Sequence, residues 1–185
     1  TGKREIAEIW LDGATGTTVK QTYDLDGFIS IVRTLQPNCV VWMDSKWQSS
    51  YTGTAANFPL DAMWVGNEGG YIVDPAWNTI EVTQTSNGQQ GRVANGPYFC
   101  VSEADVSIRP GWFYHPSQDV SVKSSSSLMN IYYNTVGMGI PLLLNVPPNR
   151  AGVFHANDSI ALMKMATEIN NTFSSNLITT AMTVT

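Results

Sequence analysis

The sequence predicts an α/β protein, the C-terminal part of a (β/α)8-like, TIM-type barrel. Three observations predict it. Short β-prone apolar runs alternate with segments of helical periodicity. Acidic residues stand just past the ends of those runs, at Asp12, Asp44 and Glu68, where the catalytic groups of a barrel project. The chain has 185 residues, short of the ~250 of a full barrel, and supplies about four or five barrel strands.

Each element has its own justification. Glu5–Leu11 is a β-prone run that ends at Asp12-Gly13. In Asp24–Leu35 the apolar residues Leu25, Phe28, Ile29, Val32 and Leu35 recur at helical spacing, with Asp24 placed to cap the start and Pro37 just beyond the end. Cys39–Met43 is wholly apolar, which suits a parallel strand covered on both faces. Ser45–Asp61 reads as a long polar loop, Ala62–Val65 as a strand, and 75–95 as loop-rich with a β-prone stretch at Thr79–Thr85. Tyr98–Ile108 reads as a strand and Val120–Val136 as a helix that begins around the run Ser124–Ser127. Pro141–Val146 is a buried strand stopped by Pro147-Pro148. Asp158–Phe173 is the last helix, with Ile160, Met163, Ala166, Ile169 and Phe173 as its apolar stripe. Residues 1–175 are expected to form one half of a barrel, and 176–185 a tail that begins a further β module.

Composition narrows the function classes. Hydrophobic residues make up 43% and charged residues 14%, enough apolar material for a core and too little charge for a disordered chain. The net charge is −5, so no basic face is available to replace phosphate counterions, and nucleic acid is not expected as a partner. The longest apolar runs are far below the ~20 residues of a membrane span. Cys39 and Cys100 both sit in apolar runs and read as buried thiols; spacing alone does not decide whether they pair. The sequons at Asn157 and Asn170 favour a secreted, extracellular or vacuolar-lysosomal glycoprotein. No Cys/His set has zinc spacing and no glycine loop has the phosphate-cradling pattern, so no cofactor is expected.

Two carboxylates are the first candidates for chemistry. Asp12 lies beside Trp10 in WLDG, and Glu68 follows Trp64 in WVGNEGG. Such a pair suits glycoside hydrolysis, in which one carboxyl group attacks or activates water and the other protonates the leaving oxygen. The six Trp residues suit sugars, which stack on aromatic faces, although packing in a core is the commoner use of Trp. Glu103-Ala104-Asp105 is a rival acidic site. Arg109 is placed to pair with Asp105 or Glu103, or to meet a ligand. His115 is a possible proton donor or substrate contact, and His155 reads as surface.

Longer strings go further. WLDGA (10–14), LQP (35–37), WVGNEG (64–69), DVSIRPGWFYH (105–115), IYYN (131–134) and LLLNVPPNR (142–150) together resemble the α-L-fucosidases of glycoside hydrolase family 29, in particular the branch acting on α-1,3/1,4-linked fucose. The resemblance implies a retaining exo-fucosidase. It implies Asp12 as the nucleophile that forms a fucosyl-enzyme ester, and Glu68, in a partly desolvated setting, as the acid/base. It implies Trp112 as an aromatic of the fucose site; Trp10, Trp64, Arg109 and His115 are further candidate substrate contacts from the residues themselves. The substrate would be a fucosylated oligosaccharide or glycoprotein. Where many members of the branch carry Arg before the Trp of the GNE motif, this chain has Met63, a departure that puts one polar contact near the sugar in question. Ser45–Asp61 is longer than usual and would reshape the leaving-group side. The family's fucose-binding histidines belong to the first half of the barrel, so activity is expected to need the N-terminal half of the same enzyme. Alternatives are a non-catalytic, lectin-like fucose binder and a hydrolase of another sugar.

Overall fold

Alternation along the strands decides which face of the sheet is packed and which is left for chemistry. The computed structural model describes residues 5–12, 22–43, 61–80 and 93–175. Strand β1 (Glu8–Leu11) is followed by helix α1 (Leu25–Leu35), β2 (Val40–Met43) and β3 (Ala62–Trp64). A short pair, β4 (Thr79–Ile80) and β5 (Tyr98–Phe99), precedes the long β6 (Val101–Ser107). Helix α2 (Ser125–Thr135), β7 (Leu142–Asn145) and helix α3 (Ala156–Phe173) complete the described order. Strands β1-β2-β3-β6-β7 form one parallel sheet in chain order. That order is what successive barrel strands require, and the curled sheet is part of a (β/α)8 barrel. Asp44, residues 45–60 and the tail 176–185 lie outside the described residues.

Apolar residues pack one face of the sheet against the helices. Val106 of β6 and Ile108 join Leu128, Met129 and Ile131 of α2 and Ala161 and Met165 of α3. Met63 packs with Ile29 of α1, Ile80 and Cys100, and Val65 and Ala104 pack with Ile72 and Ile140. Each such aliphatic side chain contributes ~1.5–3 kcal/mol on burial. Met63 is therefore on the packed face, one residue out of phase with Trp64. Both cysteines are buried and form no disulfide with each other, and burial pushes the Cys39 thiol up.

Helix starts follow their caps. The Asp24 carboxylate accepts from the Gly27 N–H at 2.9 Å, and such a cap stabilises by ~1 kcal/mol. Only Leu25 and Ile29 of the expected α1 stripe are buried, while Phe28 and Leu35 are exposed. Ser124 caps α2, its hydroxyl accepting from Ser127 N–H. The helix thus begins after the 3-10 turn Pro116–Ser121 rather than at Val120, because serine hydroxyls compete for backbone groups and favour a cap over a helix interior. Tyr98–Ile108 is two strands, not one: Tyr98 and Phe99 pair antiparallel with β4 before the chain joins the parallel sheet at Val101. The largest departure is the face of α3. Its buried residues are Asp158, Ala161 and Met165, while Ile160 and Met163 are exposed. An ion pair with Arg109, described below, sets that rotation.

Candidate functional site

The face opposite the helices carries the polar and aromatic side chains. On β1, Glu8, Trp10 and Asp12 alternate with Ile9 and Leu11, so all three share one face. Trp10 and Trp42 are register partners, and their rings stack 3.9 Å apart at 4°. Trp64 of β3 donates its indole N–H to Asp105 Oδ1 of β6 at 2.6 Å. Burial raises Asp105, the Trp64 hydrogen bond lowers it, and the charges of Glu68 and Asp12 raise it again. Asp12 and Glu68 thus both act on a third carboxyl group at the same end of the sheet. Asp12 ends β1 exposed, and Glu68 is exposed in the loop after β3, so the desolvated setting expected for Glu68 is not formed by the described residues.

Backbone geometry shapes the Glu68 loop. Gly66 and Gly70 have φ of 89° and 75°, a left-handed region that only glycine enters at no cost. The Asn67 side chain accepts from Gly69 N–H at 2.9 Å and donates to Tyr71 O at 3.1 Å. Gly70 is buried against α2, where a Cβ would come within 2.8 Å of Ile131.

The loop after β6 is held from beneath. Arg109 has 1% exposure, and its guanidinium meets Asp158 through Nε and NH2, the shortest contact being 2.7 Å. NH2 also meets Asp119 at 2.9 Å, and NH1 donates to the His115 carbonyl at 3.3 Å. Tyr114 lies 4.6 Å from the guanidinium carbon, ring face on. These carboxylates raise Arg109 above its usual value against the opposing effect of burial. The expected pairing of Arg109 with Glu103 or Asp105 is therefore corrected, and its fully committed guanidinium does not face the mouth as a ligand contact. It pins the segment that carries Trp112. Asn145 of β7 adds a second pin, donating to the Trp112 carbonyl at 2.9 Å and to Ser107 Oγ at 3.1 Å. Trp112 is exposed. His115 is exposed and takes part through its backbone carbonyl, and His155 lies 3.5 Å from Asp119.

Glu103 lies lower on the inner face. It is buried, and burial together with the facing Glu8 pushes it up to about 8. Two surface recesses, of about 430 and 290 Å³, lie on the helical side and are lined by α3, the start of α2 and neighbouring loops; neither includes Asp12 or Glu68. Asp158, Asp119, Asn145 and Glu8 are missing from the sequence reading of the site. Period-two alternation through Glu8, Trp10 and Asp12 is a signal for Glu8; nothing local marks Asp158 as the partner of Arg109.

Known proteins share this fold. The chain is 36% identical to Alpha-L-fucosidase 1 of Arabidopsis thaliana over 94% of its own length and 33% of that protein. It superposes on the crystal structure of SpGH29 with a TM-score of 0.73 and 37% identity, covering 90% of this chain and 35% of that one. A Ruminococcus gnavus GH29 fucosidase in complex with fucose gives a TM-score of 0.76 at 26% identity, covering 92% of this chain and 34% of that one. The chain spans about a third of the length of the curated relatives it matches. Residues 9–171 match the Alpha-L-fucosidase family model, a span that takes in every element of the parallel sheet but the first residue of β1, and the chain belongs to that family, glycoside hydrolase family 29.

Proposed function

We propose that this chain is the part of a retaining exo-α-L-fucosidase that carries both catalytic carboxyl groups, and that the N-terminal half of the same enzyme completes the sugar pocket. One observation carries the reading: Asp12 directly follows β1 and Glu68 lies in the loop after β3, and these strands run parallel in one sheet, so both follow its C-terminal end. Asp12 attacks the anomeric carbon of a terminal fucose and forms an ester. Glu68 protonates the departing glycosidic oxygen, then takes a proton from the water that cleaves the ester, and configuration is retained. Glu103, buried beneath the rim, is less suited to proton delivery than the exposed Glu68. Trp112 offers its ring to the sugar from the loop that Arg109 and Asn145 pin, with Trp10 and Trp64 lining the approach. A fucosylated glycan is the substrate that the family and its fucose-bound relative favour.

The test is turnover of aryl α-L-fucoside by the full-length protein. Glu68→Gln is expected to lower kcat by ~10²–10⁴-fold, and Asp12→Gly by at least as much while fucose affinity changes little. Undiminished turnover in Asp12→Gly removes the assigned nucleophile. Fucose binding without wild-type turnover identifies a lectin-like protein instead, and faster cleavage of another aryl glycoside identifies a different sugar.

A further inference from the structure

The segment between β6 and the 3-10 turn carries Trp112, and side chains hold its backbone. The Ser107 hydroxyl donates to the Gly111 carbonyl at 2.7 Å. The Asn145 amide donates to the Trp112 carbonyl at 2.9 Å, and Arg109 NH1 donates to that of His115 at 3.3 Å. Carbonyls along this segment thus take their donors from side chains, and each donor is a point at which the path of the chain is fixed.

Ser107 and Asn145 are register partners on β6 and β7. They alternate with Val106 and Leu144, which pack in the core, so both side chains belong to the polar face of the sheet. An amide has two N–H groups. Asn145 gives one to Ser107 Oγ at 3.1 Å and the other to Trp112. Ser107 is buried, at 8% exposure. Its hydroxyl passes the hold on to Gly111, and its carbonyl accepts from Lys123 Nζ at 2.6 Å. A single amide therefore joins the ends of two strands to the residue that carries the indole, and its loss releases two contacts together.

We propose that Asn145 is a positioning residue for sugar binding, which acts without touching the sugar: by fixing the Trp112 carbonyl to the end of β7 it sets the Trp112 ring against the fucose. The proposal rests on the reading of Trp112 as a face for the sugar. A ring swings with its backbone, and a functional contact needs its supporting residues to hold it closely. The bound sugar keeps this contact from ground state to transition state, so its loss weakens binding more than it slows the chemistry. Arg109 anchors the same segment from the core, where a cut costs stability first; Asn145 holds it from the polar face.

The test is a double-mutant cycle on the full-length protein. Free L-fucose is the probe, its Kd read by calorimetry, beside KM and kcat for an aryl fucoside. N145A is expected to weaken fucose binding ~10-fold, the worth of one or two hydrogen bonds, with KM rising in step and kcat falling less. W112A is expected to weaken it at least as much. In a W112A background N145A is expected to have no further effect, because the ring through which it acts is gone. N145D keeps the shape but sets a carboxylate oxygen against the Trp112 carbonyl, and is expected to match or exceed N145A. An unchanged Kd in N145A or in W112A overturns the proposal. So does an equal loss from N145A in both backgrounds, which would mark Asn145 as a direct sugar contact or a general support. Should N145A not fold, S107A, which removes the hydroxyl that Asn145 and Gly111 share, carries the same cycle, and an additive loss there overturns the proposal equally. If no form cleaves a fucoside while fucose still binds, the catalytic reading fails and the Kd cycle still decides the role of Asn145.

Discussion

Asp158 and Arg109 show how a single buried contact can organise a functional loop. Neither side chain has exposed surface, so removal of one leaves the other charged, buried and poorly compensated. Asp158→Ala is expected to destabilise the protein by ~3–5 kcal/mol, read by urea unfolding; a loss below about 1 kcal/mol means the pair behaves as a surface contact. Glu103 makes the opposite kind of statement. Its folded-state value is raised from 4.5 to about 8, so between those values the folded protein binds more protons than the unfolded chain. Stability from this group is full below 4.5 and is lost as pH rises through 8. The melting temperature of Glu103→Gln should therefore gain on the wild type as pH climbs across that window. A constant difference from acid to alkali sinks this expectation.

Elements carry the site by their ends. The loop after β3 places Glu68 by turning at Gly66 and burying Gly70 against α2, with positive φ at both. Gly70→Ala meets Ile131 at 2.8 Å and Val106 at 3.1 Å and adds ~1–2 kcal/mol of left-handed backbone cost. Its expected outcome is a loss of stability of at least that size with a fall in kcat, because Glu68 moves with the loop; unchanged unfolding and kinetics would show a loop indifferent to its neighbours. Helix α3 makes a second point. Apolar residues lie around much of its circumference, so the stripe through Ile160 and Met163 is as good a reading of the sequence as the face through Ala161 and Met165. The Asp158 carboxylate decides between them, because it cannot be left unpaired in a core.

At the scale of the molecule, five parallel strands follow one another in chain order and curl as part of a barrel. Among the described residues the parallel sheet runs from β1 to β7, and the chain spans about a third of its curated relatives. We expect residues 1–185 alone to show no turnover of aryl fucosides, and activity to return when the N-terminal half of the enzyme is supplied. Cleavage at wild-type rate by the isolated chain would refute that division of labour.

The sequence by itself determined the α/β class, the strand and helix order, the cap at Asp24 and the family, because apolar periodicity, capping residues and motif strings such as DVSIRPGWFYH are local and survive without knowledge of the fold. It also marked Asp12, Glu68 and Trp112 as the residues to watch. Only the tertiary structure decided that Met63 belongs to the core, that Arg109 serves Asp158 and Asp119 rather than Glu103 or Asp105, and that α3 turns its Asp158 face inward. Each of these joins residues far apart in the chain, and the curl of the sheet and the cost of burying an unpaired charge, neither written in any local pattern, select them.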